Sequence, residues 1–158
     1  MSMPLGPLTI QKDDDPGFMF IGVRTWIKAT SDQMDGRFGL IEQSLPPGFA
    51  TPFHAHHDTD EAFYVLEGEL SFVTETQKIS AGPGTYLYWP RHARHGFRVV
   101  GDVPARILNL FLPGGLESFF LDVSEAGLTN PPTEAAEFET LQTIATKYST
   151  ELLGHMPE

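Results

Sequence analysis

GFATPFHAHHDTDEAFYVLEG, Gly48 to Gly68, decides how the rest of the chain is read. It holds three histidines, His54, His56 and His57, and the carboxylate Glu61; a further imidazole, His95, follows in YLYWPRHARHGF. Side chains on an extended strand alternate faces. His54 and His56 therefore point one way and His57 the other. Two imidazoles on one strand face, a carboxylate after a short turn and an imidazole from a distant strand can converge on one ion. Imidazole suits Zn, Cu, Fe and Ni, and the added carboxylate keeps Fe, Mn and Co open. A bare H-x-H also arises by chance in polar loops. Here the context is β-rich: Pro46, Pro47 and Gly48 end the apolar run FGLIEQSL, and Glu67-Gly68 follows the run AFYVL.

Working outward, short runs alternate with Gly/Pro turns. Pro7–Ile10 is a short β-like run, followed by an acidic turn through Asp13, Asp14, Asp15, Pro16 and Gly17. Met19–Ile27 is rich in β-branched and aromatic residues and predicts a strand. Ser31–Gly36 reads as a turn and Arg37–Leu45 as the strand that feeds the histidine segment. Glu61–Leu66 and Glu69–Glu75 flank Glu67-Gly68 as a predicted hairpin. Gln77–Ser80, Thr85–Trp89, His95–Val100 and Ala105–Leu112 complete the strands, with a strong turn at Ala81–Gly84, a loop at Pro90–Arg94 and a turn at Gly101–Pro104. The expected class is all-β, a sandwich or barrel. After residue 113 the period changes. Leu116, Phe119, Phe120 and Val123 predict a short helix. Thr133 is a fair N-cap for a second helix, with Phe138, Leu141, Ile144, Ala145 and Tyr148 as its apolar stripe. Gly154–Glu158 reads as a tail.

Glu61, Phe63 and Val65 share one strand face, and His95, Phe97 and Val99 share another. Phe63, Phe97 and Val99 are therefore expected to line an apolar cavity beside the ion. Tyr86 and Tyr88 share the face opposite Leu87 and Trp89, and the alternation alone leaves open which pair is inside. His57 reads as a solvated rim residue, His92 as a surface residue, and Arg91 and Arg94 as facing solvent or acidic surface. Glu61 is either a charge-balancing ligand or a general base that takes a proton from a bound hydroxyl.

Composition narrows the functional classes. The chain has 158 residues, 41% of them apolar and 20% charged, which is ordinary for one globular domain. A net charge of −11 argues against nucleic acid or an anionic membrane as partner, since both select basic patches. Without cysteine there is no disulfide, thiolate ligand or cysteine nucleophile. No apolar run approaches the roughly 20 residues that span a bilayer. The first residues do not read as a signal peptide, so the expected location is the cytoplasm.

The spacing of these residues resembles that of the cupins. Their first motif, G-x5-H-x-H-x3/4-E-x6-G, is met by Gly48, His54, His56, Glu61 and Gly68. Their second, G-x5-P-x-G-x2-H-x3-N, is met by Gly84, Pro90 and His95, with His92 in place of the glycine and Val99 in place of the asparagine. The resemblance covers about residues 35–112. It implies a double-stranded β-helix, the jelly roll, with short C-terminal helices over about 114–150 in a single domain of residues 1–158. It also implies one divalent transition metal held by His54, His56, Glu61 and His95, with Fe, Mn, Ni, Co, Cu and Zn all open. Within the cupins, DEAFYVLEGELSF, WPRHARHGFRV and ARILNLFLPGGLESFF are most similar to small bacterial members related to quercetin 2,3-dioxygenase. That resemblance implies a small-molecule substrate bound through a hydroxyl, Glu61 as the catalytic proton acceptor, and dioxygen as co-substrate. A cyclase or isomerase of a polyketide or sugar-like molecule, and a non-enzymatic ligand-binding protein, stay open on the same scaffold. A homodimer is expected, because an open sheet edge is commonly covered by a partner.

Overall fold

The computed structural model describes residues 6–158. Strands β1 (Phe18–Phe20), β2 (Val23–Ala29), β3 (Gly39–Leu45), β4 (Phe53–His56), β5 (Asp60–Glu67), β6 (Glu69–Val73), β7 (Lys78–Ala81), β8 (Tyr86–Trp89), β9 (Gly96–Val100) and β10 (Ala105–Leu112) precede helices α1 (Glu117–Glu125) and α2 (Ala135–Lys147), and β11 (Thr150–Gly154) follows. Six strands form one sheet in the order β1-β2-β3-β10-β5-β8; β7-β6-β9 and β11-β4 form two smaller ones. His54 and His95 exchange backbone bonds of 2.9 Å in both directions, which joins β4 to the β9 side. The result is a two-layer jelly roll whose hydrogen-bonded sheets do not close into a continuous barrel.

Alternation builds the layers. Along β3, Gly39, Ile41, Gln43 and Leu45 are buried, and along β10, Ala105, Ile107, Asn109 and Phe111 are. The two sheets meet through aromatic contacts: Phe63 on β5 lies 5.1 Å from Phe72 on β6 and 5.7 Å from Phe97 on β9, between ring centroids. On β8, Leu87 is buried and Tyr86 and Tyr88 face out, which settles the inside of that strand.

Several sequence expectations change. Pro7–Ile10 forms no strand. Met19–Ile27 is two strands, because Ile21 and Gly22 both take positive φ, 39° and 88°, and turn the chain so that Phe20 pairs with Val23. Strand propensity does not detect a turn that begins with an isoleucine. The predicted hairpin around Gly68 is instead a crossing between layers: β5 pairs with β10 and β8, whereas β6 pairs with β7 and β9. A single residue separates β5 from β6, and antiparallel partners need a loop of about two residues at least. Gly68 makes the corner at φ 82°, where a Cβ would lie 2.6 Å from the Pro104 carbonyl oxygen.

The helices pack where the periodicity places them. Leu116, Phe119, Phe120 and Val123 are buried, and Phe20 lies 4.7 Å from Phe120 between centroids. The N-cap of α2 is Glu134 rather than Thr133, and the Glu137 carboxylate accepts from the backbone N–H of both residues. Of its stripe, Leu141 and Ala145 are buried, but Phe138 is 53% exposed and does not pack. Thr150–Gly154 is a strand that the sequence did not reveal. It pairs antiparallel with β4, Thr150 opposite His56 and Leu152 opposite His54.

Candidate functional site

Strand phase delivers the ligand atoms. His54 and His56 on β4, Glu61 on β5 and His95 just before β9 bring one ligand atom each within 4.8 Å of the others. Ligands at about 2.0–2.2 Å from an ion sit about 3 Å apart when adjacent and about 4 Å apart when opposite, so the four fit one metal with small adjustments. Glu61 Oε1 is 2.7 Å from His95 Nε2 and 3.6 Å from His56 Nε2.

The outer nitrogens set which lone pairs point inward. His54 Nδ1–H donates to the Pro52 carbonyl at 2.7 Å, and His95 Nδ1–H donates to the Ala93 carbonyl at 3.0 Å. His56 Nδ1 lies 2.8 Å from Thr150 Oγ1, whose own hydroxyl is directed at the Tyr148 carbonyl at 3.4 Å. The threonine oxygen therefore accepts from His56 Nδ1–H. All three rings present Nε2 to the centre, and each carries the outer-shell partner that ligating histidines use to hold tautomer and orientation. Trp89 stacks on His95 at 4.9 Å between centroids and 11° between planes.

Burial, with His95 and His56 alongside, pushes the His54 pKa down to about 3. That ring is a neutral donor at ordinary pH. Burial alone would raise Glu61, but the charge and hydrogen bonding of His56 and His95 outweigh it and hold the carboxyl well below its usual range. Glu61 is thus an ionised ligand. Its other oxygen, Oε2, accepts from Asn109 Nδ2 at 3.2 Å, while Asn109 Oδ1 is buried without a protein partner.

Beside these ligands lies a cavity of about 70 Å³. Phe20, Phe49, Phe63, Phe97, Phe119 and Phe120 supply its aromatic walls, and Gln43, Thr51, Asn109 and Thr150 its polar points. No lysine or arginine is among its described lining residues. Phe63 and Phe97 thus sit where the alternation placed them. Val99 does not: it shares the buried face of β9 but lies two residues further along, opposite Leu70, within the core rather than at the cavity. A larger open hollow of about 790 Å³ lies on the outer face of the big sheet, against Trp26, Glu42 and Arg106, away from the ligand cluster. His57 points outward as expected but is not merely solvated, because it contacts His92 and Glu151. Arg91 pairs with Asp60 at 3.1 Å and Arg94 with Glu75 at 3.6 Å.

The polar lining residues of the site escaped the sequence reading. Gln43 and Asn109 sit on inward faces among Ile41, Leu45, Ile107 and Phe111, and a polar residue in an otherwise apolar phase was the available signal. Thr150 had none, because its place depends on β11 docking against β4.

Comparison with known proteins agrees with the geometry. The family described as Cupin domain matches residues 41–111. A curated relative, quercetin 2,3-dioxygenase of Bacillus subtilis, is 31% identical over 94 residues, which is 60% of this chain and 28% of that protein. The chain thus spans little more than a quarter of that relative's length. Among solved structures, an RmlC-like cupin from Shewanella frigidimarina superposes with a TM-score of 0.59 at 15% identity, covering 70% of this chain and 93% of the other. A sugar phosphate isomerase of the cupin superfamily from Silicibacter pomeroyi gives 0.51 at 26% identity, covering 58% and 59%. Among the described residues, no helix is long and apolar enough to cross a membrane. The four-ligand cluster could hold a divalent metal. Residues 41–111 match the cupin domain family, and the fold is the jelly roll of the cupins.

Proposed function

We propose that the protein is a metal-dependent dioxygenase of the quercetinase type, acting on a small enolic or phenolic molecule. The observation that carries this reading is an aromatic-walled cavity, free of cationic side chains, placed directly against the His54–His56–Glu61–His95 cluster. A sugar phosphate brings at least one negative charge, and this cavity offers no lysine or arginine to meet it. Flat apolar faces instead receive a flat apolar ring. The partial likeness to quercetin 2,3-dioxygenase supports the same choice.

Cavity size narrows the substrate. At roughly 10–15 Å³ of such space per water, 70 Å³ has room for on the order of five waters. One ring with its hydroxyl fits that space better than the three rings of a flavonol.

His54, His56, Glu61 and His95 would hold a divalent ion, which would supply acidification of a substrate hydroxyl bound beside them. The chain's own residues do the rest. Glu61, ionised and buried, accepts the hydroxyl proton. Asn109 holds Glu61 Oε2 in place, and its free Oδ1 can accept from a second donor on the substrate. Phe63 and Phe97 clamp the ring and exclude water.

The test is oxygen uptake by metal-loaded protein with one-ring enols and phenols and with a flavonol, across Mn, Fe, Co, Ni, Cu and Zn. Turnover is expected with the smaller compounds, and Glu61→Gln should lower it by on the order of 10²-fold at saturating metal. Binding without oxygen uptake for every metal would refute the dioxygenase reading and move the assignment to isomerase or cyclase chemistry.

A further inference from the structure

His56 faces the interior cluster, and its neighbour His57 faces the opposite side of the chain, where it meets His92. The two Nδ1 atoms are 2.7 Å apart, with ring centroids at 5.0 Å and planes inclined by 34°. We propose that His57 and His92 form a second, outward-facing metal site, which takes a divalent first-row cation such as Cu(II), Ni(II) or Zn(II) through the two Nδ1 atoms.

Two nitrogens bound at about 2.0–2.1 Å and close to a right angle stand about 3 Å apart, so the pair needs little movement to chelate an ion. Glu151 supplies the orienting carboxylate. Its Oε1 lies 3.2 Å from His57 Nε2, where it accepts the ring N–H and leaves the Nδ1 lone pair for a ligand. Glu151 reaches the far side of His57 rather than the shared face, so the protein gives two donors and water completes the sphere. The His57 side chain is 39% exposed, which admits that water.

His92 carries a second sign. Its φ is 73°, a left-handed conformation that carries a steric cost for a non-glycine residue. It stands where the second cupin motif has glycine. The contact with His57 is what this histidine gains there. The three contributing segments are the end of β4, the connection over residues 90–95 and β11, and they also carry His56, His95 and Thr150. An ion outside would clip together the segments that orient the ions' ligands inside, without depending on the interior site being filled.

Tag-free, chelator-treated full-length protein is titrated with Zn(II) by calorimetry, and Cu(II) binding is followed by electron paramagnetic resonance. Wild type should bind two equivalents, the weaker with two-nitrogen coupling in the Cu(II) spectrum. His92→Gly and His57→Ala should each weaken that second equivalent by at least 10-fold and leave the first. Glycine suits φ 73°, so His92→Gly keeps the fold, and its melting temperature without metal checks this. His56→Ala should lose the first equivalent and keep the second, which separates failure of the interior reading from failure of this one. A single equivalent in wild type would overturn the proposal and leave only a shared proton between the rings. So would a second equivalent that survives both His92→Gly and His57→Ala, because it would then belong to another surface histidine.

Discussion

Thr150→Val removes one hydroxyl and keeps the β-branched shape and volume. The hydroxyl lost is the acceptor 2.8 Å from His56 Nδ1, and Thr150 is only 4% exposed, so no bulk water replaces it. Loss of an outer-shell partner of this kind costs about 10–100-fold in metal affinity. That equals roughly 1.4–2.7 kcal/mol. The chelated protein should also suffer, since a buried donor left unpaired costs about 1–3 kcal/mol. At about 2–4 °C per kcal/mol for a chain of this size, the midpoint should drop by several degrees. The assay is a chelator competition titration with Zn(II), run beside thermal melts, on wild type, Thr150→Val and Thr150→Ser. Serine restores the acceptor and should recover most of the affinity. Hydrogen-exchange protection across β4 and β11 shows whether the strands stay docked. Wild-type affinity in a docked Thr150→Val protein would refute the claim that this hydrogen bond orients His56.

Further outcomes follow from the same geometry. Loading chelated protein with metal at about 100 times the dissociation constant should stabilise it by roughly 2.7 kcal/mol; at stoichiometric metal His57→Ala keeps the melting shift and His56→Ala loses it. The metal-free protein should lose stability as pH falls. Above 6.5 both folded and unfolded His54 are neutral, and between 6.5 and about 3 only the unfolded chain takes up that proton. Glu61, held well below its usual range by His56 and His95, acts in the same direction below pH 4.5, so acid melts of chelated protein should show a falling midpoint from pH 6.5 downward, and a flat profile would contradict the burial of His54. Finally, a homodimer is proposed across the edge strand β8, whose Tyr86 and Tyr88 are 63% and 47% exposed; light scattering should give twice 17.5 kDa, and a monomer mass at micromolar concentration excludes it.

Two of the four ligands were legible from local geometry, and the resemblance to the cupin motifs added Glu61 and the distant His95. A strand alternates whatever surrounds it, so His54, Ala55 and His56 set two rings in phase, and Phe63 and Phe97 fall beside the site by the same rule. Where that rule was stretched it failed: Val99 has the right phase but lies too far along β9, and the run through Ile21 hides a turn. The crossing at Gly68 looked like a hairpin because composition marks where a chain bends, not which strand it meets next. The remaining decisions belong to the tertiary structure. Thr150 reaches His56 across 94 residues of chain, Asn109 reaches Glu61 across 48, and His92 reaches His57 across 35. The helices close the cavity with Phe119, Phe120 and Leu141 and thereby set its volume. Such pairings depend on how layers stack and where a last short strand docks, and burial of the whole apolar surface determines both. A period of two along one strand carries no record of them.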